Sequence, residues 1–257
     1  MAKLKSFFKD YLLFILFSCV IIVIWEWLVQ SGKVPSFILP APSSVIRSIV
    51  ENRESLFQEH LLATVKEVAI GFFIAAAGGI GLSILMYFSK ALEKMIYPVV
   101  LISQTIPIIA LSPVFVLWFG YTIWSKVAVT VLIAFFPIVV GMYDGLKNSD
   151  PEYDELLQSM GASKWQRFMK VKLPMALPSL FSGLKLAIVF SVVGATIGEW
   201  LGASVGLGYY SRRMSGNLNA EGVFAAVFLL SVLGMVLFFV VTLLQKWMLK
   251  WNEEKKR

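Results

Sequence analysis

The sequence predicts an all-α polytopic membrane protein with about six transmembrane helices and a short helix pair on the cytoplasmic side. Three observations predict it. Of 257 residues, 58% are hydrophobic and 15% are charged, against roughly 25% charged in an ordinary soluble domain. The mean hydropathy of +0.77 is too apolar for a chain dissolved in water. The apolar residues also fall in long runs, and a helix needs about 20 of them to cross the hydrocarbon core. A soluble enzyme, a secreted disulfide scaffold and a disordered chain are disfavoured. The one cysteine, Cys19, cannot form an intrachain disulfide, and the one histidine, His60, cannot build a histidine-rich metal site.

The first run covers residues 11–25 and continues through 27–29. Lys3 and Lys5 ahead of it, and Leu16-Phe-Ser-Cys19 within it, have the look of a processed leader. The run continues well past Cys19, however, and Phe17 is bulky for a cleavage site, so a retained helix is expected. Residues 35–42 are rich in proline, which biases each preceding residue away from helix. Ser43 or Ser44 can then cap an amphipathic helix through Val45, Ile46, Ile49 and Val50, lying at the membrane interface. The second span is residues 68–88 and the third 95–120. The fourth is residues 127–143, the fifth 177–201 with Lys185 and Glu199 inside it, and the sixth 223–245.

Two spans carry small residues at helix-contact spacing: Gly71, Ala75 and Gly79, and Gly183, Ala187, Ser191 and Ala195. Small residues let helix backbones approach closely in lipid, so both spans are expected inside a bundle. Pro107 and Pro113 in the third span and Pro137 in the fourth each remove a backbone donor and free a carbonyl. In lipid such carbonyls need protein or water neighbours. With Gln104, Thr105 and Ser112 nearby, a broken third span is a candidate for lining a pathway; a simple kink in a packed helix is the competing reading. The candidate path residues are Gln104, Pro107, Ser112, Pro113 and Glu199. Glu199 lies beside Trp200 near the outer interface, where a hydrogen bond to the following glycine-rich loop competes with substrate contact. Glu26 reads as an interfacial residue without a task of its own, and Cys19 and His60 as structural residues.

Orientation follows from the basic residues. With the N-terminus in the cytoplasm, fifteen lysines and arginines lie inside, against seven outside: Lys33, Arg47, Arg53, Lys66, Lys126, Arg212 and Arg213. This bias places both termini in the cytoplasm. It also accounts for the net charge of +7 without nucleic acid. Trp25, Trp27, Trp118, Trp124, Trp200, Trp247 and Trp251 lie near span ends, as interfacial tryptophans do. The charged tail 252–257 is expected to fray.

The cytoplasmic loop between the fourth and fifth spans carries the main signal. Asp150 suits an N-cap, with Pro151 at the first helical position and Glu152 and Asp154 in the first turn. Tyr153, Leu156, Leu157 and Met160 share one face. Gly161 can end this helix in a positive-φ conformation. Ser163 and Gln166 form a capping-box pattern for a second helix, with Trp165, Phe168 and Met169 on one face and Lys164, Arg167 and Lys170 on the other. Leu173-Pro174 is expected to end it. The pair is too short to hold its own core, so its apolar faces are expected to pack on the bundle or on a partner.

Glu155-Leu-Leu-Gln-Ser-Met-Gly161-Ala162, followed by Phe168, Val171 and Leu173-Pro174, resembles the EAA loop of permease subunits of binding-protein-dependent ABC importers. Glu155, Gly161 and the closing Val171-Lys-Leu-Pro174 have the family's spacing; Leu156-Leu157 stands where the pattern has two alanines. Residues 107–120, Ala134-Phe-Phe-Pro137, Leu39-Pro-Ala-Pro42, Gly198-Glu-Trp200 and Gly206-Leu-Gly-Tyr209 look like the branch importing nitrate, taurine and alkanesulfonates. That branch includes permeases for thiamine-precursor pyrimidines and riboflavin. Residues 159–165 and 198–204 lean toward the vitamin-precursor side.

The resemblance implies one transmembrane permease domain over residues 1–257. It divides into a first span (1–30), an outer loop with its amphipathic helix (31–66) and a core (67–251) holding the coupling loop 148–174. It implies that Glu155, Leu156, Met160, Gly161, Ala162, Leu173 and Pro174 couple the chain to two ATP-binding cassette ATPase subunits, which bind ATP and Mg. A second permease copy, expected to be identical, and an extracytoplasmic substrate-binding protein complete the implied assembly in the plasma or inner membrane. The path would carry a small hydrophilic solute. No Gly-x-x-x-x-Gly-Lys-Ser/Thr phosphate loop occurs in the chain, so ATP hydrolysis is expected from the partners, and no cofactor or metal site of its own is expected. An ion-coupled secondary transporter is the alternative from another class, with Glu199 as its one intramembrane acid. It leaves the loop unexplained. A membrane-embedded enzyme lacks the His, Cys and acid clusters it would need.

Overall fold

The structure, a computed structural model, describes residues 2–149 and 151–250, with side chains from residue 12 onward. Asp150, Trp251 and the tail 252–257, expected to supply a cap, an interfacial ring and a frayed end, lie outside the described residues. Among the described residues every regular element is helical.

Helix α1 (Ala2–Gln30) leads to α2 (Pro42–Glu51), and a π-helical stretch (Ser55–Leu61) runs into α3 (Leu62–Phe88). Then follow α4 (Lys90–Ser103), α5 (Ile108–Phe119) and α6 (Ile123–Lys147). The loop pair is α7 (Pro151–Ser159) and α8 (Lys164–Arg167). A second π-helical stretch (Phe168–Lys172) leads into α9 (Leu173–Gly202), followed by α10 (Leu207–Gly216) and α11 (Ala220–Met248). Among the described residues five helical paths are long and apolar enough to cross a membrane, and the α4–α5 pair makes a sixth.

Helices α6 and α9 form the centre. They run antiparallel and meet backbone to backbone through glycines. A Cβ added at Gly141 or Gly145 would come within 2.9 Å of the Ser179 or Ala176 carbonyl oxygen, and one at Gly194 within 2.7 Å of the Thr130 Cα. Gly183 faces the Pro137 carbonyl more closely still. Two helices can approach this way only where side chains are missing, and in lipid that approach supplies the dispersion contacts that hold them together. Gly71, Ala75 and Gly79 bring α3 onto α6 in parallel, against Thr130 and Ile138. The Ser83 hydroxyl, which also contacts the Gly79 carbonyl of its own helix, lies 3.0 Å from the Val139 carbonyl across this contact. Both small-residue stripes read from the sequence are thus buried in the bundle, and α6 supplies matching glycines that the sequence reading did not single out.

Because α3 and α6 are parallel, α3 ends on the face from which the 148–174 loop projects, while α6 begins on the opposite face. The α4–α5 pair must cross between them. The sequence predicts one broken span over residues 95–120, and the structure has it broken into two helices, α4 and α5, bent by 104° at residues 104–107. Pro107 has no N–H and disfavours helix at Ile106, so the break falls there. Pro113 sits inside α5 without breaking it.

A second cluster joins Val45, Leu56, Leu207, Tyr210, Ala225, Ala226 and Leu229, seating α2, α10 and α11 together. Helix α1 stands outside the bundle, with most of its described side chains exposed. It is tied in near its end by Trp25 against Phe224 and by Glu26. Glu26 accepts hydrogen bonds from the backbone N–H (3.0 Å) and the hydroxyl of Ser43. Glu26 therefore holds the first turn of α2. Ser43 is not the cap; Ala41 occupies that position, with Pro42 following.

Candidate functional site

The two ends of α9 carry the candidate residues. At the loop end, α7 closes on Gly161 at φ +80. The Ala162 N–H reaches the Leu157 carbonyl (2.9 Å) and the Gly161 N–H reaches that of Gln158 (3.0 Å). This is a Schellman closure, which needs the left-handed conformation glycine adopts at no steric cost. The capping box is present as read: the Gln166 side chain accepts from the Ser163 N–H and the Ser163 hydroxyl from the Gln166 N–H. Arg167, read from the sequence as part of a basic outer face, instead bridges the pair. Its guanidinium donates to Asp154 (3.1 Å) and Gln158 (3.0 Å), and both charged side chains are largely shielded.

The apolar faces of the pair are divided. Phe168 is buried against Tyr87, Phe88 and Trp165, with ring centroids 5.0–5.5 Å away. Leu157 and Ala162 are half-buried. Tyr153, Leu156, Met160 and Trp165 stay exposed, Met160 at 74%, and Glu155 and Gly161 are also on the surface. Leu173-Pro174 does not end the second helix. The helical path continues from α8 through the π-helical stretch into α9. The π stretch widens the turn just ahead of Pro174, where a missing N–H and a bulky ring would otherwise interrupt a regular ladder. The second helix of the loop is therefore continuous with α9 over residues Lys164–Gly202.

At the other end, Glu199 is fully buried. It accepts from the Thr64 hydroxyl (2.6 Å) and from the Gly208 N–H (2.5 Å). Thr64 in turn accepts from the Leu207 N–H, and His60 Nδ1 accepts from the Gly206 N–H. Gly206, at φ +122, packs directly on the Glu199 carboxyl, and a Cβ at Gly208 would come within 2.8 Å of it. Side chains from other segments thus cap the first turn of α10, whose own N-cap is a glycine. Tyr210 packs against His60 with the rings tilted and their centroids 5.1 Å apart, and burial raises its phenol above the ordinary range. Glu67 and Lys126, buried beside this cluster, were not singled out in the sequence. Their position at span ends reads there as ordinary interfacial charge.

The structure does not gather the candidate path residues. Gln104 and Pro107 lie exposed at the α4–α5 bend, Pro113 is exposed on α5, and Ser112 is buried with its hydroxyl unpartnered. Glu199 faces the α10 cap. A groove of about 740 Å³ runs instead between α5, α9 and α11, lined by residues such as Ile109, Val193, Thr196, Trp200, Ser231 and Phe238. Thr196 and Ser231 are the two polar-chain residues besides Trp200 on its wall.

Residues 68–250 match the family described as binding-protein-dependent transport system inner membrane component. Over 240 residues the chain is 46% identical to the formylaminopyrimidine transport permease protein ThiX of Halalkalibacterium halodurans, covering 93% of this chain and 96% of that one. It is 32% identical to the putative aliphatic sulfonates transport permease protein SsuC of Bacillus subtilis, covering 93% and 87%. A chain of the MetNI methionine ABC transporter in an inward-facing conformation superposes with a TM-score of 0.64 at 20% identity, over 81% of this chain and 97% of that one, and so shares the fold. This chain belongs to the inner membrane components of binding-protein-dependent transport systems, as an ABC importer permease of the branch that includes the nitrate, taurine and sulfonate permeases.

Proposed function

We propose that this permease forms half of the path for a thiamine-precursor pyrimidine or a related vitamin, delivered by an external binding protein and driven by two partner ATPases. The 46% identity to a formylaminopyrimidine permease along nearly the whole chain carries the substrate reading. Nitrate, taurine or an alkanesulfonate are the competing substrates.

The 148–174 loop faces the cytoplasm in this reading, and both termini lie on that side, in line with the excess of lysine and arginine there. Exposed Tyr153, Leu156, Met160 and Trp165 offer each ATPase an apolar docking surface. Glu155 and Gly161 lie beside it. When the ATPases close on ATP and Mg, they push the α7–α8 pair. Arg167 keeps its two helices together, and Phe168 and Leu173-Pro174 pass the displacement into α9. A second, identical copy of the chain completes the path.

Purification from native membranes, with ATP hydrolysis measured in the material retained, tests this reading. A co-purifying ATPase, with ATP-dependent uptake of labelled formylaminopyrimidine into proteoliposomes, is the expected result. A preparation that transports without any ATPase would overturn it in favour of ion-coupled transport. ATP-dependent uptake of taurine or nitrate but not the pyrimidine would overturn the substrate alone.

A further inference from the structure

The cluster under α10 holds two acids. Glu199 is 0% exposed and Glu67 is 4% exposed, within hydrogen-bond reach of Glu199. The Glu199 carboxylate is committed as an acceptor to Thr64 and to the first amides of α10. The Oε2 atom of Glu67 is buried with no hydrogen-bond partner among the described residues. Two ionised carboxylates only accept, so a hydrogen bond between them requires a proton.

The surrounding charges agree. Lys126 from α6, 5% exposed, is the buried cation nearby, and its ammonium donates to the Tyr121 and Thr122 carbonyls rather than ion-pairing with either acid. Glu59, His60 and Arg213 border the site on the His60 side. With both acids ionised, the buried groups carry an unbalanced negative charge, which is costly out of water. With one proton between them, Lys126 balances Glu199. Glu199 is also the acid placed at a helix N-terminus, where the dipole favours an anion.

We propose that Glu67 and Glu199 form a proton-binding site, with Glu67 holding the proton and donating it in a hydrogen bond to ionised Glu199, and that this bond secures α10 to the bundle. Glu67 acts as a positioning residue: it keeps the Glu199 carboxylate aimed at the α10 amides. Glu67→Gln keeps a donor at nearly the same volume. Glu67→Ala removes it.

Infrared spectra of the full-length protein in lipid nanodiscs, taken in H₂O and D₂O, test the proton directly. Wild type is expected to show a deuterium-sensitive C=O stretch of a protonated carboxyl that disappears in Glu67→Gln. Hydrogen exchange of residues 206–209 is expected to change less than about twofold in Glu67→Gln and to accelerate about tenfold in Glu67→Ala, the loss of one hydrogen bond to a charged group. No such band in wild type, or a band that survives Glu67→Gln, would overturn the site. Equal acceleration in the Gln and Ala variants would overturn the donor role, because an amide can still donate. The wild-type spectrum decides the matter on its own where a variant does not fold.

Discussion

The two ends of α9 are held by different physics. At the loop end, rings do the holding: Phe168 lies among Tyr87, Phe88 and Trp165, next to a π-helical stretch and a proline. Ring pairs prefer certain orientations, but a shift among them leaves no polar group unpaired, so small sliding of the helix costs less there than at the other end. At the other end, Glu199, Thr64 and His60 bind amides of α10 through buried, directional hydrogen bonds. Such a network specifies one geometry and penalises departures from it, because a buried group left unpaired costs its full desolvation. A helix fixed at one end and adjustable at the other suits the coupling role proposed for the loop.

Breaking the fixed end should have the largest effect. Gly206→Ala adds a methyl against the Glu199 carboxyl at a φ that L-residues avoid, so both helices must move. Folded yield by fluorescence-detected size exclusion is expected to fall to near background. Gly161→Ala has the same left-handed backbone problem but no atom within 4 Å. It should cost about 1–2 kcal/mol and leave the yield measurable, which makes the pair of alanine variants a direct comparison of the two ends.

Glu199→Ala comes next. It strands the Gly208 amide, at about 1–3 kcal/mol for the unsatisfied group, while the Thr64 hydroxyl keeps the His60 carbonyl as an acceptor, and thermal unfolding in detergent should show a clear drop. Gly161→Val should act on function rather than fold. The branched side chain resists positive φ, and ATPase activity is expected to lose its coupling to uptake, or the ATPase to be lost on purification. Normal uptake with normal complex yield would remove Gly161 from the coupling role. Ser163→Ala should be the mildest change. It loses one cap bond, worth about 1 kcal/mol, and the expected readout is faster hydrogen exchange confined to residues 163–167.

Much of the adjustable end was legible in the sequence. A capping box, a glycine closure and a proline at a helix start are local statements, made within a few residues of chain. The exposure of Tyr153, Leu156 and Met160 was not legible, since an apolar helical face looks the same whether it meets the bundle or a partner. Leu173-Pro174 reads as a stop, and the π-helical stretch that carries the helix past it leaves no composition signal. At the fixed end the reading was thinner. Glu199 stood out because an acid interrupts an apolar run, whereas Glu67 and Lys126 sit at run ends where charge is ordinary.

The sequence by itself determined what depends on neighbours along the chain. Hydropathy runs set the spans, small residues at spacing four set which helices could meet, and caps and glycines set the loop. Tertiary structure alone decided what depends on distant partners. Thr64 and Glu199 are 135 residues apart in the chain yet 2.6 Å apart in space. The glycine seam that lets α6 and α9 touch brings the ends of α3, α6 and α9 together, and burial turns charges that would be routine at an interface into groups that must find one another.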